Sequence, residues 1–305
     1  MKKEEYESKF LNLLTDFGFN WLFGTEHSKK FLISFLNEII KGEGLITDIQ
    51  YLPPDYRGFT EKERKAVFDI FCINDKKEYF IVEMQKSRQT YFRDRSIFYA
   101  TLPILKQAPR GIWDFRLKTV YLVAVLDFII FKEFEDDKNH VIEYVSLIRE
   151  RTKTYYSKKL NFIFVELPKF IKTEKELKTD LDKWLFSLKN MHKLKERPAT
   201  IHGNIFNELF QTTETNNLTK EEMRTYKKSI LEYRDVRDSI EFARREAREE
   251  AQEEAREEGI KEGIEEGKIF VIQKCFQKNM PVEDIVFLTG FSKEYINRFA
   301  ENNIL

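Results

Sequence analysis

The sequence predicts an α/β fold in which a mixed central sheet is flanked by helices and followed by a C-terminal helical extension. Three observations carry this. Residues 66–85, AVFDIFCINDKKEYFIVEMQ, read as two short strands around the turn Asn74–Lys77. Leu117–Phe128 is a near-continuous apolar run, as expected of a strand buried on both faces. Apolar residues at helical spacing lie before, between and after these strands, so helices cover the sheet.

In chain order, Lys9–Phe23 and Glu26–Lys41 read as two helices. The second carries Phe31, Leu32, Phe35, Leu36, Ile39 and Ile40 at helical spacing, and Gly42–Gly44 ends it. Between them lies the aromatic segment DFGFNWLFG, in which Asp16 is either a helix N-cap or a further acid of a functional site. Leu45–Arg57 is extended, and Gly58–Lys65 is a basic loop. A helix of about Arg88–Gln107 follows the hairpin, with Tyr91, Arg95, Phe98, Tyr99 and Leu102 on the stripe that packs on the sheet. Val141–Arg149 and Leu160–Leu167 are further strands. Glu174–Lys195 and Ala199–Gln211 are amphipathic helices, and a long helix begins at Leu218.

The hairpin carries the chemistry. Centred on Lys76, it sets Asp69 directly opposite Glu83. Alternation then puts Val67, Asp69, Phe71 and Ile73 on one face with Tyr79, Ile81, Glu83 and Gln85. The other face, from Ala66, Phe68, Ile70 and Cys72 to Phe80, Val82 and Met84, is apolar and belongs to the core. Opposed carboxylates destabilise a sheet, and a divalent cation such as Mg²⁺, which takes carboxylate oxygens, offsets that cost. An acid, then Glu-x-polar on the next strand, suits a metal-dependent phosphodiesterase, whose cation clamps phosphate and acidifies water. The plainer alternative is a half-exposed hairpin with two scattered acids. Lys86, Arg88, Arg93 and Arg95 make the start of the next helix basic, either to contact phosphate or as a solvated face. Arg95 stands out because it shares the inner stripe with Tyr99.

Of the 305 residues, 42% are hydrophobic and 34% charged, with no net charge. The balance conceals an asymmetry: residues 241–268 carry eleven acids and six bases, whereas residues 1–240 carry +5, which permits an anionic partner without requiring one. Cys72 and Cys275 lie far apart, so a disulfide framework is not expected. The four histidines lack zinc-ligand spacing. MKKEEYESKF has no signal-peptide character, and no apolar run approaches a membrane span. The expectation is a cytoplasmic protein with no membrane partner.

In the tail, Ala243, Ala247, Ala251, Ala255, Gly259, Gly263 and Gly267 recur every four residues. Such a stripe permits close helix approach and self-association, or is a repetitive solvated helix. Its three glycines argue against a free-standing rod. Residues 269–305 read as a small helical unit, broken at Met280-Pro281 and turned at Thr289-Gly290-Phe291, with Ser292 capping the last helix. The outline is that of a DNA-binding helix-turn-helix or of an oligomerisation module.

Three stretches together resemble the Rpn recombination-promoting nucleases, also called PD-(D/E)XK nuclease family transposases. They are DFGFNWLFGTEHSKKFLISFLNEII, then VFDIFCIND…YFIVEMQ with RDRSIFY, and EEGIKEGIEEGK with the helical unit after it. The resemblance implies a restriction-endonuclease-like sheet in a nuclease-like domain at 1–215, a long Ala/Glu/Gly-rich helix at 216–268 and the helical unit at 269–305. It implies Mg²⁺ (or Mn²⁺) as cofactor, DNA as partner, and Asp69 and Glu83 as metal-binding catalytic acids. Asp16 matches the family's N-terminal acid. Gln85 stands where the wider superfamily usually has lysine, so a water-activating lysine is not expected there, and alternation directs Lys86 to the opposite face. Asn20 replaces a frequent lysine of the N-terminal motif. Arg95, Tyr99 and Lys86 are the phosphate-binding candidates.

Overall fold

The computed structural model describes residues 8–40, 44–56, 66–108, 111–134 and 140–302. The chain divides into two compact units, Met1–Asp238 and Ser239–Leu305. Its strands are β1 (Ile49–Tyr51), β2 (Asp55–Tyr56), β3 (Ala66–Val67), β4 (Ile70–Asn74), β5 (Tyr79–Gln85), β6 (Val120–Leu126), β7 (Ile142–Ile148) and β8 (Tyr155–Glu166). Its α-helices are α1 (Asp16–Phe23), α2 (Lys29–Ile39), α3 (Phe92–Lys106), α4 (Asp180–Asn190), α5 (Asn204–Thr212), α6 (Lys220–Gln277), α7 (Val282–Thr289) and α8 (Lys293–Asn302). The predicted α/β class holds. A six-stranded mixed sheet runs β1-β4-β5-β6-β8-β7, and β2 pairs with β3 in a separate ribbon.

The hairpin register is the predicted one: Ile73 pairs with Tyr79, Cys72 with Phe80, Phe71 with Ile81 and Ile70 with Val82. Strands β5, β6 and β8 are parallel, and β6 is buried except at Tyr121, as its apolar run requires. Both faces of the sheet are covered. Ile70, Cys72, Phe80, Val82 and Met84 join one core with α1, α2, α4, α5 and the start of α6. Phe71, Ile81, Leu122, Ala124 and Leu126 join a second core beneath α3.

Several elements differ from expectation. Residues 66–73 are not one strand: the chain bends at Phe68–Asp69, so Ala66 and Phe68 join the second core rather than the first. The face expected to be mixed is therefore buried as well. Lys9–Thr15 is not helical; Phe10 bridges to Glu214, and the Leu11 N–H donates to the Thr213 carbonyl at 2.9 Å. Helix α1 starts at Asp16 because Thr15 is the N-cap, its Oγ1 accepting from the Gly18 N–H at 3.0 Å. A Cβ at Gly18 would stand 2.1 Å from the Asn12 carbonyl oxygen, so only glycine fits this entry turn. Helices α3, α4 and α5 are shorter than their periodic patterns, and β8 begins five residues earlier, at Tyr155. The buried residues of α3 are Phe92, Ser96, Ala100, Leu102 and Pro103, so Leu102 packs inward as expected, whereas Tyr91 and Phe98 face outward. Arg57, the loop 58–65 and the 41–43 part of the expected glycine helix end lie outside the described residues; α2 ends at Ile39, with Ile40 as its C-cap.

The first core is built on aromatics. Trp184 is fully buried between Phe35, Phe23 and Phe206, with ring centroids 5.9, 6.0 and 5.3 Å away, and its indole N–H donates to Ser34 Oγ at 3.1 Å. Trp184→Ala is expected to cost about 3–5 kcal/mol, read as a lower urea midpoint at unchanged slope. Helix α6 opens with a capping box: the Glu222 N–H donates to Thr219 Oγ1, and the Thr219 N–H donates to Glu222 Oε2. Its Tyr226, Ile230 and Tyr233 lie on one helical stripe and enter the first core.

In the second unit, α6 continues through Gly259, Gly263 and Gly267 without a break. No neighbouring atom lies within 4 Å of a Cβ built at any of the three. Ile272 and Cys275 on α6 pack with Ile285 of α7 and Ile296 of α8. Gly290 adopts φ 73° and closes α7 in the left-handed conformation that glycine favours. The Tyr295 N–H donates to Ser292 Oγ at 3.2 Å, the expected cap of α8.

Candidate functional site

The bend that ends β3 and starts β4 positions Asp69. Its backbone N–H donates to Glu83 Oε1 at 3.2 Å, and the Met84 N–H donates to Asp69 Oδ2 at 2.7 Å. Each carboxylate is thus anchored on the backbone beside the other. These backbone bonds hold together two acids whose like charges repel each other. Glu83 is 6% exposed. Burial, then the charge of Asp69, pushes its carboxyl up to about 8. Burial also raises Asp69, opposed by the Met84 N–H and raised further by the charge of Asp16. Near neutral pH the pair retains a proton that a cation would displace.

Gln85 ends β5 on the same face, and its Nε2 donates to Glu83 Oε2 at 3.2 Å. Arg95, in the first turn of α3, lies near enough for its charge to favour ionisation of both Asp69 and Glu83. Its guanidinium sits 5.3 Å from the Phe92 ring centroid and 5.6 Å from that of Tyr99, and it donates to Gln89 Oε1. Tyr99 is half-buried, edge-on to Phe68 at 5.2 Å.

Lys86 follows the last residue of β5, and its partner lies on α1, the helix that covers the Met84 face to which alternation directs it. Its Nζ lies 2.8 Å from Asp16 Oδ1, and its charge reaches Asp69. Lys86 is 13% exposed and Asp16 61%. Asp16 is the first residue of α1, not its cap, and its charge is felt at Asp69. All seven candidates therefore gather around the carboxyl end of β5 and the bend before β4.

One neighbouring acid was not anticipated. Asp127 follows β6, its N–H donating to the Gln85 carbonyl at 3.0 Å and its Oδ2 accepting from the Tyr233 hydroxyl at 2.8 Å. Burial raises its carboxyl. The sequence held a signal, an acid closing an apolar strand run, but its partner lies 106 residues onward.

Among the described residues, no group of three or more His, Cys, Asp or Glu side chains forms a metal cage. The donor set still suits a hard cation, because Mg²⁺ is commonly held by one or two carboxylates together with substrate oxygens and water. No helix among the described residues is long and apolar enough to cross a membrane.

No curated protein and no solved structure matches the chain. Residues 13–243, which span the whole sheet and every candidate residue, match the PD-(D/E)XK nuclease family transposases, and the chain belongs to that family.

Proposed function

We propose that this protein is a Mg²⁺-dependent DNA endonuclease, with Mn²⁺ able to substitute, that hydrolyses phosphodiester bonds in recombination or mobile-element processing. The observation that carries this is the pairing of Asp69 and Glu83, a half-buried and a buried carboxylate, with Glu83 accepting from the Asp69 N–H and Asp69 from the Met84 N–H. Family membership supports a nuclease role, and PD-(D/E)XK nucleases generally use divalent ions. Asp69 and Glu83 would hold the cation, which when bound polarises the phosphate and acidifies water. Gln85 steadies Glu83 and is placed to orient water. Arg95, stacked against Tyr99 and Phe92, offers its charge to the phosphate. Asp16 assists by holding Lys86 beside Asp69. Hydrolysis leaves a phosphomonoester and a free hydroxyl.

Plasmid nicking tests this with Mg²⁺, with EDTA, and with Asp69→Ala and Glu83→Ala. Metal-dependent cutting lost in both variants is the expected result. Cutting that persists in both would remove the assignment. Arg95→Ala is expected to slow cutting about tenfold or more while leaving metal binding intact, a split visible by comparing nicking with calorimetry.

A second reading is a catalytically silent DNA-binding or self-assembling protein that keeps the fold. Gln85 favours it, because an amide neither activates water nor carries charge, and the neighbouring Lys86 is paired with Asp16. No nicking under several divalent ions, with DNA binding retained, would select this reading.

A further inference from the structure

The start of α3 bears a cleft of about 550 Å³ in which Tyr91 and Phe98 have no part in the proposed hydrolysis. Tyr91, Phe98 and Tyr99 line it with Asp94, Gln89 and Arg95. Tyr91 is 74% exposed and Phe98 43%, although both sit on a helix whose opposite face is fully packed. Arg95 belongs to both places: it lines the cleft, and its charge reaches Asp69 and Glu83. Tyr99, which also lines the cleft, packs edge-on against Phe68, the residue before Asp69, at 5.2 Å.

Resting on the endonuclease reading, we propose that this cleft stacks an unpaired nucleobase next to the scissile phosphate, making the preferred substrate DNA that is single-stranded or locally unpaired at the cut. Aromatic side chains beside a basic group are what single strands use, since every base has a π-face and the backbone is anionic. Charge separates the two halves of the ligand. Asp94 repels phosphate but accepts a hydrogen bond from an exocyclic amino group, so the cleft takes the base. Arg95 then takes the adjoining phosphate on the side of the acids. A paired base is not available to the cleft, because its π-face is held in the duplex stack.

The test uses the full chain and oligonucleotides carrying 2-aminopurine, in a duplex, in a single strand and in a duplex with one unpaired position. Binding is measured in EDTA, apart from cleavage. Quenching of the unpaired 2-aminopurine and tighter binding than to duplex are expected. Tyr91→Ala with Phe98→Ala should weaken unpaired-DNA binding about tenfold or more, whereas Tyr91→Phe, which keeps the ring, should not. Ile171→Ala, which removes an exposed side chain elsewhere, controls for general loss of apolar surface. Equal binding of all three DNAs without quenching, alongside metal-dependent cutting, would overturn the stacking site and leave the nuclease. Quenching that depends on Tyr91 and Phe98, with no cutting under Mg²⁺ or Mn²⁺, would overturn the nuclease and leave the stacking site.

Discussion

Glu83→Gln is expected to give a metal-free protein that is more stable than the parent at pH 8 yet cleaves DNA two to three orders of magnitude more slowly or not at all. The stability half follows from burial. In the folded protein the Glu83 carboxyl is raised from 4.5 to about 8, chiefly by desolvation and secondly by Asp69. Between those values the folded state holds a proton that the unfolded chain has released. Its contribution is complete below the ordinary value and is lost as pH rises towards 8. Glutamine never charges, so it removes the loss, on the order of 2–4 kcal/mol at pH 8. Urea unfolding in EDTA at pH 5, 6.5 and 8 should show the variant's advantage growing with pH. A gap independent of pH would remove the claim that Glu83 is strained by its own charge. A site that is less stable than its neutral analogue is the expected signature of selection for binding rather than for folding.

The second large effect is that of the cation itself. Mg²⁺ at a hundred times its dissociation constant should stabilise the first unit by about 2.7 kcal/mol, a rise of roughly 5–10 °C in Tm. Because the acid pair holds a proton near neutral pH, binding should release it. The apparent affinity should therefore increase with pH, and calorimetric heats should depend on the buffer. Asp69→Asn should abolish both the Tm shift and the buffer dependence. An unchanged shift in that variant would place the cation elsewhere.

Much of this site was legible from residues 66–85 alone. The Asn74–Lys77 turn set the hairpin centre and gave the register of Ile70–Ile73 with Tyr79–Val82, which brings Asp69 and Glu83 side by side. The bend at Asp69 was not legible. It follows from the pairing of β3 with β2 in a second sheet, and a contact to Asp55–Tyr56 leaves no local trace in the hairpin. The packed stripe of α3 was misread for a related reason. Exposed Tyr91 and Phe98 have the composition of a core, and only the sheet behind α3 shows which side is inner. Asp127 escaped because its partner Tyr233 belongs to a helix read only as a tail.

The way α1 is held has a consequence for biosynthesis. The Asn12 N–H donates to the hydroxyl of Tyr226, 214 residues later, and the Phe17 N–H donates to Ser229 Oγ, 212 residues later. The N-terminal segment carrying Asp16 thus waits for the beginning of α6 before it can lock. A ribosome-bound chain that has released both strands of the hairpin still lacks this clasp until Tyr226 and Ser229 have been made. Contacts of such long sequence separation form late. A protein assembled in this order anchors its N-terminal helix only once Tyr226 and Ser229 have been made, and fragments that stop short of Tyr226 are left without the anchor for Asp16.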